Sequence, residues 1–339
     1  MTNQHMKKKI ALVTGGYSGE AVISYKSATT IRTHLDPERY EVFLIDICKE
    51  GWFYEALDGS RSPVNRSDFS IQHNGTSIHF DAVFMGMHGT PGEDGKLQGY
   101  FDLLQIPYTS CGAATAALTF NKRYTVAVAA FSGIHVAKSV HLLRPIAYNI
   151  PAMAATLRFP VFVKPNNGGS SIGMSKVNDA AGLEAAIERA FAEDSQVLVE
   201  EMIQGREFTI GVFEKQGEVI ALPMTEVRAH TDKDFFDFEA KYQGKSDEET
   251  PANASAEQYE RVSEAARQIY RIFNCSGVIR IDFIYHETEQ VPYMLEINTI
   301  PGQSNASIIP QQVRAMGWTL QEFYSTLIEE ALCKKAVLS

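Results

Sequence analysis

Apolar and polar residues alternate in a segment near the C-terminal end of the chain, and this pattern predicts a half-buried β-strand. Over residues 278–284 the apolar side chains take every second position and share one face. Arg280 and Asp282 fall together on the opposite face. The predicted strand therefore packs one side on a core and presents a cation and an anion on the other.

A second segment, residues 293–298, repeats the alternation and places Glu296 and Asn298 on one face. A short polar turn separates the two segments, so together they predict an antiparallel hairpin. Pairing about the centre of that turn sets Asp282 roughly opposite Glu296. Because two facing carboxylates repel each other, the hairpin also predicts a positive group between them.

The residue types of this hairpin favour a metal ion that is bound to an anion. Carboxylate and amide oxygens are hard ligands, which suit Mg2+ or Mn2+. Arg280 beside them would meet the anion, most simply a polyphosphate. A plainer interpretation stays open, because an arginine and two acids on one sheet face also form solvated ion pairs.

Short apolar runs alternate with helix-like segments from about residue 9 to residue 120, which is typical of an open parallel sheet. The predicted strands are 10–13, 42–45 and 82–85, and the predicted helices are 24–35 and 95–104. The turn Gly15–Glu20 follows the first strand, where such sheets bind ligands. Glu20 there either binds a ligand or caps a helix. For His88, which follows the third strand, a structural role and a functional role are equally open.

A glycine-rich segment follows another predicted buried strand. Lys164 ends the strand 161–163, and residues 168–173 contain three glycines and two serines. Backbone N–H groups of such a loop can surround phosphate oxygens, with the lysine ammonium at its mouth. The loop is not a Walker A motif, because no Gly-Lys-Ser/Thr follows. An ordinary Gly/Ser turn is the alternative.

The rest of the pattern predicts further helices and strands around one long irregular segment. Helices are predicted over 113–131 and 180–192, and strands over 136–142, 196–199, 208–213 and 219–227. Capping boxes at Ser255–Gln258 and Thr319–Glu322 predict the starts of two more helices. Residues 228–253 are charged and aromatic without a sustained period, which is typical of a lid or binding loop.

Two element ends carry further candidate residues. Glu200 and Glu201 end the predicted strand 196–199, where adjacent acids are either solvated or bind adenine and ribose. Ser307 precedes a predicted helix whose first turn tolerates Pro310. That serine either caps the helix or leaves its N–H groups for an anion such as a carboxylate.

Composition limits the kinds of function. A chain of 339 residues predicts two or three domains, and 45% hydrophobic with 21% charged residues is typical of a globular protein. The net charge of −10 argues against nucleic acid or an anionic membrane as the main partner. No segment reaches the apolar length of a membrane helix. Four scattered cysteines predict neither zinc nor a disulfide framework and suit a reducing cytoplasm.

Six motifs, in this order, resemble the ATP-grasp family and, within it, the D-alanine–D-alanine ligases. They are Gly15–Glu20, Met87–Gly95, Lys164–Pro165 with Gly169–Gly173, Glu239–Tyr242, Arg280–Asp282 and Glu296–Gly302. The resemblance implies an α/β fold with a three-domain ATP-grasp architecture and an N-terminal open parallel, Rossmann-like sheet. The implied domains are 1–120, contributing to the first D-alanine site; 121–203, the central ATP-grasp subdomain; and 204–339, the C-terminal ATP-grasp subdomain with lid and metal site.

The resemblance also implies an activity. It is the ATP-dependent ligation of two D-alanine molecules to D-alanyl-D-alanine through an acyl phosphate, with ADP and phosphate as products, for peptidoglycan precursor synthesis. The implied cofactors are ATP and two Mg2+ or Mn2+ ions. A cytoplasmic location and a homodimer are implied as well, without a nucleic-acid or membrane partner.

Individual roles follow from the same resemblance. Nucleotide contacts are implied for Lys122, Lys164, Glu200, Glu201, Ile203, Glu207 and Lys241. Metal ligands are implied at Asp282, Glu296 and Asn298, with Glu296 bridging the two ions. The chain departs from the family pattern at Glu201, where a lysine is usual, so only a main-chain role is expected there.

The resemblance further implies contacts with the two amino acids. Glu20 would bind the ammonium group of the first D-alanine, and Ser307 the carboxylate of the second. Arg280 and the N–H group of Gly302 would stabilise the oxyanion of the tetrahedral intermediate. Two further residues would hydrogen-bond near Glu20 and hold the lid closed, namely Ser170 and Tyr242.

Three alternatives remain from the sequence. A ligase that joins D-alanine to D-lactate, or another ATP-grasp carboxylate–amine ligase, is the first, although Tyr242 favours the amide product. An ATP-binding sensor without turnover is the second. The presence of all the implied phosphate-binding cations, metal ligands and oxyanion residues argues against it. A nicotinamide oxidoreductase is the third, but the turn Gly15–Glu20 lacks the G-x-G-x-x-G spacing.

Overall fold

The computed structural model describes residues 6–167, 172–229 and 246–338. The helices of the described residues are α1 Ala21–His34, α2 Lys96–Leu103, α3 Ala113–Phe120, α4 Lys122–Phe131, α5 Ile150–Thr156, α6 Leu183–Glu193, α7 Ala256–Ile272, α8 Ile308–Ala315 and α9 Leu320–Leu338. They surround three larger sheets and one two-stranded ribbon, and each larger sheet is built from one consecutive stretch of the chain.

The first sheet has the order β4-β3-β2-β1-β7. Its strands are β1 Lys8–Gly15, β2 Tyr40–Cys48, β3 Gly51–Glu55, β4 Arg61–Pro63 and β7 Ala82–Met85, and the ribbon consists of β5 Ile71–His73 and β6 Thr76–Ile78. The three predicted strands are confirmed, and β1 runs parallel to both β2 and β7. β3 and β4 extend this parallel core as an antiparallel hairpin, which the sequence did not predict.

The second sheet is antiparallel, with the order β10-β9-β11-β8. Its strands are β8 Ser139–Leu143, β9 Val161–Pro165, β10 Ser175–Val177 and β11 Gln196–Glu201. Apolar residues of α5 and α6, such as Met153, Leu183 and Ile187, pack on it. Lys164 lies on β9 next to the glycine-rich segment, as the sequence predicted.

The third sheet has the order β15-β14-β12-β16-β17, with β13 paired to β12. Its strands are β12 Arg206–Lys215, β13 Glu218–Ala221, β14 Thr225–Ala229, β15 Ser246–Glu249, β16 Ile279–His286 and β17 Val291–Asn298. The buried face of α7 packs on it through Val262, Ala266 and Ile269. The face of β16 and β17 that carries the polar residues looks away from this core.

Local sequence signals correctly located two helix starts. The side chain of Ser255 accepts from Gln258 N at 3.2 Å and Gln258 Oε1 accepts from Ser255 N at 3.0 Å, a complete capping box before α7. Thr319 and Glu322 exchange the same pair of bonds at 3.1 and 2.8 Å before α9. Both devices satisfy N–H groups that the first turn of a helix leaves unpaired.

Two predicted helices are interrupted. The segment 113–131 splits into α3 and α4, because Asn121 leaves the helical conformation and accepts from Tyr124 N at 3.1 Å as the N-cap of α4. The segment 180–192 begins with a single 3-10 turn, which Asp179 caps through Ala181 N at 3.0 Å, and α6 starts only at Leu183.

Three other predicted boundaries were also wrong. The segment 219–227 forms two strands, β13 and β14, with Pro223 between them, a residue that cannot donate to a ladder. The predicted irregular segment 228–253 contains β15, whose four polar residues pair with β14. The strand predicted from 136 starts at Ser139.

The C-terminal helix packs on the N-terminal sheet. Phe323, Tyr324 and Leu327 of α9 share a buried cluster with Ile10 of β1 and Phe84 of β7. The last element of the chain thus completes the core of the first sheet. Within the described ranges, every helix is too short or too polar to cross a bilayer.

Candidate active site

The polar face of the β16–β17 hairpin forms as the alternation predicted. Asp282 pairs with Glu296 across the two strands, and Arg280 pairs with Asn298. A β-bulge follows between Asp282 and Phe283, so the regular register ends at the acidic pair. The four polar side chains therefore project from adjacent positions on one face of the sheet.

Arg280 supplies positive charge between the two carboxylates. Its Nε lies 2.8 Å from Asp282 Oδ1 and its Nη2 lies 2.8 Å from Asp282 Oδ2, a two-point contact that suits the planar guanidinium. The same Nη2 lies 3.9 Å from Glu296 Oε1. The repulsion predicted from the sequence is thus relieved, at least in part, by a residue of the same strand.

Asp282 is held further by its neighbours. Thr209, which pairs with Asp282 from β12, donates its hydroxyl to Asp282 Oδ1, and both residues are buried. Asn298 Nδ2 lies 3.4 Å from Asp282 Oδ2 and 3.5 Å from Glu296 Oε1. The carboxylate is consequently fixed in one orientation, as a ligand for a charged group requires.

The donor set of this face suits a hard cation. Two carboxylates and one amide side chain converge, and their oxygens are the ligands that Mg2+ and Mn2+ prefer. Among residues 6–167, 172–229 and 246–338 no group of three or more His, Cys, Asp or Glu side chains has metal-binding proximity. The predicted site contains only two carboxylates, so substrate oxygens or water would complete the coordination.

This face lines a cleft of about 360 Å³ that lies between the first and third sheets. Nine of the predicted site residues border it, namely Glu20, Lys122, Glu207, Arg280, Asp282, Glu296, Asn298, Gly302 and Ser307. They come from the N-terminal segment, from α4, from β12 and from the hairpin with its following loop. Residues far apart in the sequence therefore meet around one cavity with both cations and anions in its wall.

Glu20 does not act as the helix cap that the alternative interpretation expected. It occupies the N-cap position of α1 but makes no side-chain cap hydrogen bond. Its Oε2 accepts from the Ser18 hydroxyl at 3.3 Å and lies only 2.6 Å from the point where a side chain on Gly89 would begin. Gly89 also has a φ of +68°, so both conformation and space require glycine there.

Ser307 also leaves its helix uncapped. It is the N-cap residue of α8 without a side-chain cap bond, and its Oγ lies 2.7 Å from Ser304 Oγ. A Cβ on Gly302 would approach Ser307 Oγ to 2.8 Å. The serine hydroxyl, the Gly302 backbone and the N-terminal end of α8 thus lie together on one wall of the cleft.

The sequence matches two family models along most of its length. Residues 9–111 match the D-ala D-ala ligase N-terminus, and residues 122–329 match the D-ala D-ala ligase C-terminus. The chain belongs to the D-alanine–D-alanine ligase family. It is therefore an ATP-grasp enzyme, and the resemblance recognised in the six motifs is confirmed.

Relatives in this family cover nearly the whole chain. A D-alanine–D-alanine ligase of Flavobacterium johnsoniae is 44% identical, with 96% of this chain and 99% of the relative aligned. One from Parabacteroides distasonis is 42% identical over 96% of this chain and 98% of the relative. Both are similar from end to end, which supports a shared architecture.

Solved structures agree with the fold. The VanG D-Ala:D-Ser ligase from Enterococcus faecalis superimposes with a TM-score of 0.85 at 33% identity, covering 96% of this chain and 99% of that one. The D-alanyl-alanine synthetase A from Vibrio cholerae gives 0.86 at 28% identity over 97% and 99%. The α/β fold and ATP-grasp architecture expected from the sequence are confirmed.

Four residues for which the resemblance implies nucleotide contacts, Lys164, Glu200, Glu201 and Ile203, do not border this cleft of the ligase family member. Lys164 and Glu200 form an ion pair of 2.5 Å across β9 and β11, and both side chains are largely buried. The Glu201 carboxylate instead accepts from Arg158 N and Nε, each at 3.0 Å. Ile203 lies in the connection between β11 and β12.

Three of the implied ligase residues fall outside the described part of the chain. They are Ser170, in the glycine-rich segment, and Lys241 and Tyr242, in the predicted lid. Their roles stay predictions.

The sequence left the role of one cleft residue open and assigned none to another. His88 is buried, and burial lowers its pKa to about 4, so its imidazole is neutral. Burial of the Glu93 carboxyl and the neighbouring charge of Glu20 raise its pKa to about 8. Both residues line the cleft and belong to the motif Met87–Gly95. That motif was the only signal for them, because neither residue lies on a periodic element.

Proposed function

We propose that this chain joins two D-alanine molecules into D-alanyl-D-alanine with ATP, for peptidoglycan precursor synthesis. The observation that carries the proposal is the meeting of Glu20 with the Arg280–Asp282–Glu296 group around one cleft. The Glu20 carboxylate can bind the ammonium group of a substrate. It faces the Arg280–Asp282–Glu296 group, which can bind a metal-bound phosphate. Membership of the D-alanine–D-alanine ligase family and relatives of that name support the same activity.

The chemistry explains why both charges are needed. A carboxylate is a poor electrophile, so a carboxylate oxygen of the first D-alanine attacks the γ-phosphorus of ATP, the bond to the bridging oxygen breaks, and ADP leaves. The amine of the second D-alanine, having lost a proton, attacks the acyl carbon. The carbon–oxygen bond to phosphate then breaks, and inorganic phosphate leaves.

Each charged side chain has a place in this scheme. Glu20 binds the ammonium group of the first D-alanine, and Ser307 binds the carboxylate of the second. Arg280 and the Gly302 N–H group stabilise the oxyanion that forms when the amine attacks, because preorganised donors act where charge develops. Lys122 meets the ATP phosphates from α4.

The nucleotide lies between the second and third sheets in this proposal. Lys164 holds its phosphates near the adenine, Glu200 and the main chain of Glu201 and Ile203 meet the base, and Glu207 binds the ribose. The buried Lys164–Glu200 pair supports this placement, because a lysine and an acid held together present a donor and an acceptor side by side.

The acidic face fits a divalent cation. Asp282, Glu296 and Asn298 would hold Mg2+ or Mn2+, two ions by resemblance, which would neutralise the triphosphate charge. Thr209 and Arg280 orient Asp282 for this role through the bonds described above. Lys241, Tyr242 and Ser170 complete the scheme as lid residues that exclude water from the acyl phosphate.

An assay of ADP formation tests the proposal directly. The purified chain is given ATP, MgCl2 and D-alanine, D-serine, D-lactate or L-alanine, alone and in pairs with D-alanine, and products are identified by mass spectrometry. We expect ADP formation with D-alanine alone and D-alanyl-D-alanine as the main product. ATP turnover without a dipeptide, or mainly a depsipeptide with D-lactate, would overturn the proposal.

The quaternary structure, the domains and the cellular location complete the proposal. The chain forms a homodimer in the cytoplasm and divides into domains 1–120, 121–203 and 204–339. The three larger sheets support that division, since each draws its strands from within one of these ranges. Sedimentation equilibrium tests the homodimer, and a mass near that of one chain would contradict it.

A further inference from the structure

The loop after β17 carries the Gly302 N–H group, so its position controls the proposed oxyanion site. We call residues 299–303 the oxyanion loop. Its last residue is tied to two helices: Gln303 N donates to Ser27 Oγ of α1 at 3.1 Å, and Tyr324 of α9 donates to Gln303 Oε1 at 3.3 Å. The loop is therefore held by elements from both ends of the chain.

The oxyanion loop is also held through a side chain of another segment. Ser27 Oγ, which accepts from Gln303 N, lies 3.0 Å from His88 Nε2. The main chain of Ile300 shifts the pKa of His88 upward and that of Glu93 downward, so this part of the loop lies near both side chains.

The direction of the hydrogen bond between Ser27 and His88 follows from these contacts. Ser27 Oγ accepts from Gln303 N, so its own hydrogen is available to His88 Nε2, which accepts it. One chain of hydrogen bonds thus runs from Gln303 through Ser27 to His88.

His88 and Glu93 each make a further hydrogen bond within the N-terminal part of the chain. The Ser24 hydroxyl of α1 accepts from His88 N at 2.9 Å, and the Glu93 carboxylate accepts from Gly89 N at 2.6 Å. Other charged groups that act on this pair are Glu20, which raises the pKa of Glu93, and Arg280, which lowers the pKa of both. The segment 88–93 is therefore tied to α1 and closed by a hydrogen bond of its own.

We propose that His88 is a positioning residue that holds Gln303 through Ser27, so that the neighbouring Gly302 N–H points at the developing oxyanion. The inference rests on the proposed ligase function. A displacement of about 1 Å in such a donor lowers turnover about 100-fold. His88 does not touch the triphosphate in this scheme, so ATP binding depends little on it.

Two variants of His88 separate positioning from mere folding. His88→Asn keeps a hydrogen-bonding side chain near Ser27, whereas His88→Leu fills the space without one. We expect His88→Leu to lower kcat about 10- to 100-fold with the KM for ATP within about twofold, and His88→Asn to recover most of the loss. His79→Asn, at an exposed histidine of the first segment, is the matched control and should behave like the wild type.

Ser27→Ala is a milder variant, which removes only the hydroxyl that links Gln303 to His88. Hydrogen–deuterium exchange of peptides covering the oxyanion loop is measured alongside kinetics. We expect faster exchange there in His88→Leu and Ser27→Ala, with unchanged exchange in the core of the third sheet. Wild-type kcat and exchange in both variants would overturn the inference.

The exchange measurement keeps this inference separate from the proposed function. If the wild type makes no dipeptide, the proposed function fails. Faster exchange of the oxyanion loop in the variants would still show that His88 holds it, and unchanged exchange would overturn that claim as well.

Discussion

The guanidinium of Arg280 and the carboxylate of Asp282 form two hydrogen bonds of 2.8 Å, although both residues belong to one strand. Residues two apart on a strand share a face, so this pair needs no tertiary contact to meet. The pair turns the remaining N–H groups of Arg280 toward Glu296 and the cleft. It therefore links the proposed metal ligands to the proposed oxyanion site.

Removal of this guanidinium should mainly affect turnover. We expect Arg280→Ala to lower kcat about 100- to 1,000-fold, the effect of losing one oxyanion donor, with a much smaller change in the KM for ATP. Arg280→Lys should recover little, because an ammonium group cannot make the two-point contact. Steady-state kinetics of ADP formation measure both constants. Arg261→Ala, in an exposed pair with Glu257, is the control, and near-normal rates in Arg280→Ala would remove its assigned role.

Loss of the Lys164 ammonium should mainly affect nucleotide binding. Its 2.5 Å contact with Glu200 is largely shielded from water, so Lys164→Ala leaves an acid unpaired beside the expected base and phosphates. We expect the KM for ATP to rise about 10- to 100-fold, the range of one charge-assisted hydrogen bond. Kinetics and isothermal titration with ATP provide the measurement.

Lys8→Ala serves as the comparison for Lys164→Ala, since Lys8 makes an exposed ion pair with Asp81 at 3.1 Å. Its nucleotide affinity should match the wild type. An unchanged KM for ATP in Lys164→Ala would contradict the assigned role.

The buried His88 should make the folded state sensitive to mild acid. Burial lowers its pKa from 6.5 to about 4, so between these values the unfolded chain binds a proton that the folded chain does not. The free energy of unfolding should therefore be unaffected by this group above pH 6.5. It should decrease as the pH falls toward 4, with a slope of up to about 1.4 kcal/mol per pH unit.

Urea unfolding of the wild type and His88→Asn at pH 7.0, 5.5 and 4.5 isolates this effect, because asparagine does not titrate. The stability difference between the two proteins should shift in favour of the variant as the pH falls. A difference that is constant over this range would show that His88 is protonated in the folded state too.

Gly277 marks a close contact between the N-terminal and C-terminal parts of the chain. It has a φ of +65°, and a Cβ there would lie 2.2 Å from the Thr109 carbonyl oxygen. Gly217 has a similar φ of +83° with nothing within 4 Å of that position. Both Gly→Ala substitutions introduce left-handed strain of about 1–2 kcal/mol, so any further loss in Gly277→Ala reports the contact.

We expect Gly277→Ala to lower the free energy of unfolding by about 1–3 kcal/mol more than Gly217→Ala does, the usual range for overpacking. Urea denaturation of the two variants measures the difference. Equal losses would mean that the Thr109 backbone moves away without penalty.

The sequence located those features whose causes lie close together in the chain. The hairpin register that sets Asp282 against Glu296 follows from two alternating segments and a short turn. The capping box at Ser255 and Gln258 spans four consecutive residues, and its chemistry is complete within them. Where the interactions that determine a feature are local, the hydrophobic pattern and the residue types were enough to predict it.

Short or polar elements escaped the sequence because nothing local distinguishes them. β15 consists of four polar residues and exists only because β14 offers a partner ladder. β4 and β5 have three residues each, too few to show a period. The break at Asn121 depends on a cap that competes with a sequence of good helix formers.

By itself, the sequence determined the family motifs, the acidic hairpin and most of the strands, since alternation and turn chemistry act between neighbouring residues. The tertiary structure alone decided that α9 completes the first sheet and that Ser27 and His88 hold the loop that carries Gly302. Those contacts join residues tens to hundreds of positions apart. These contacts are determined by packing and by the need to satisfy buried hydrogen-bonding groups. Neither requirement produces a periodic pattern in the sequence.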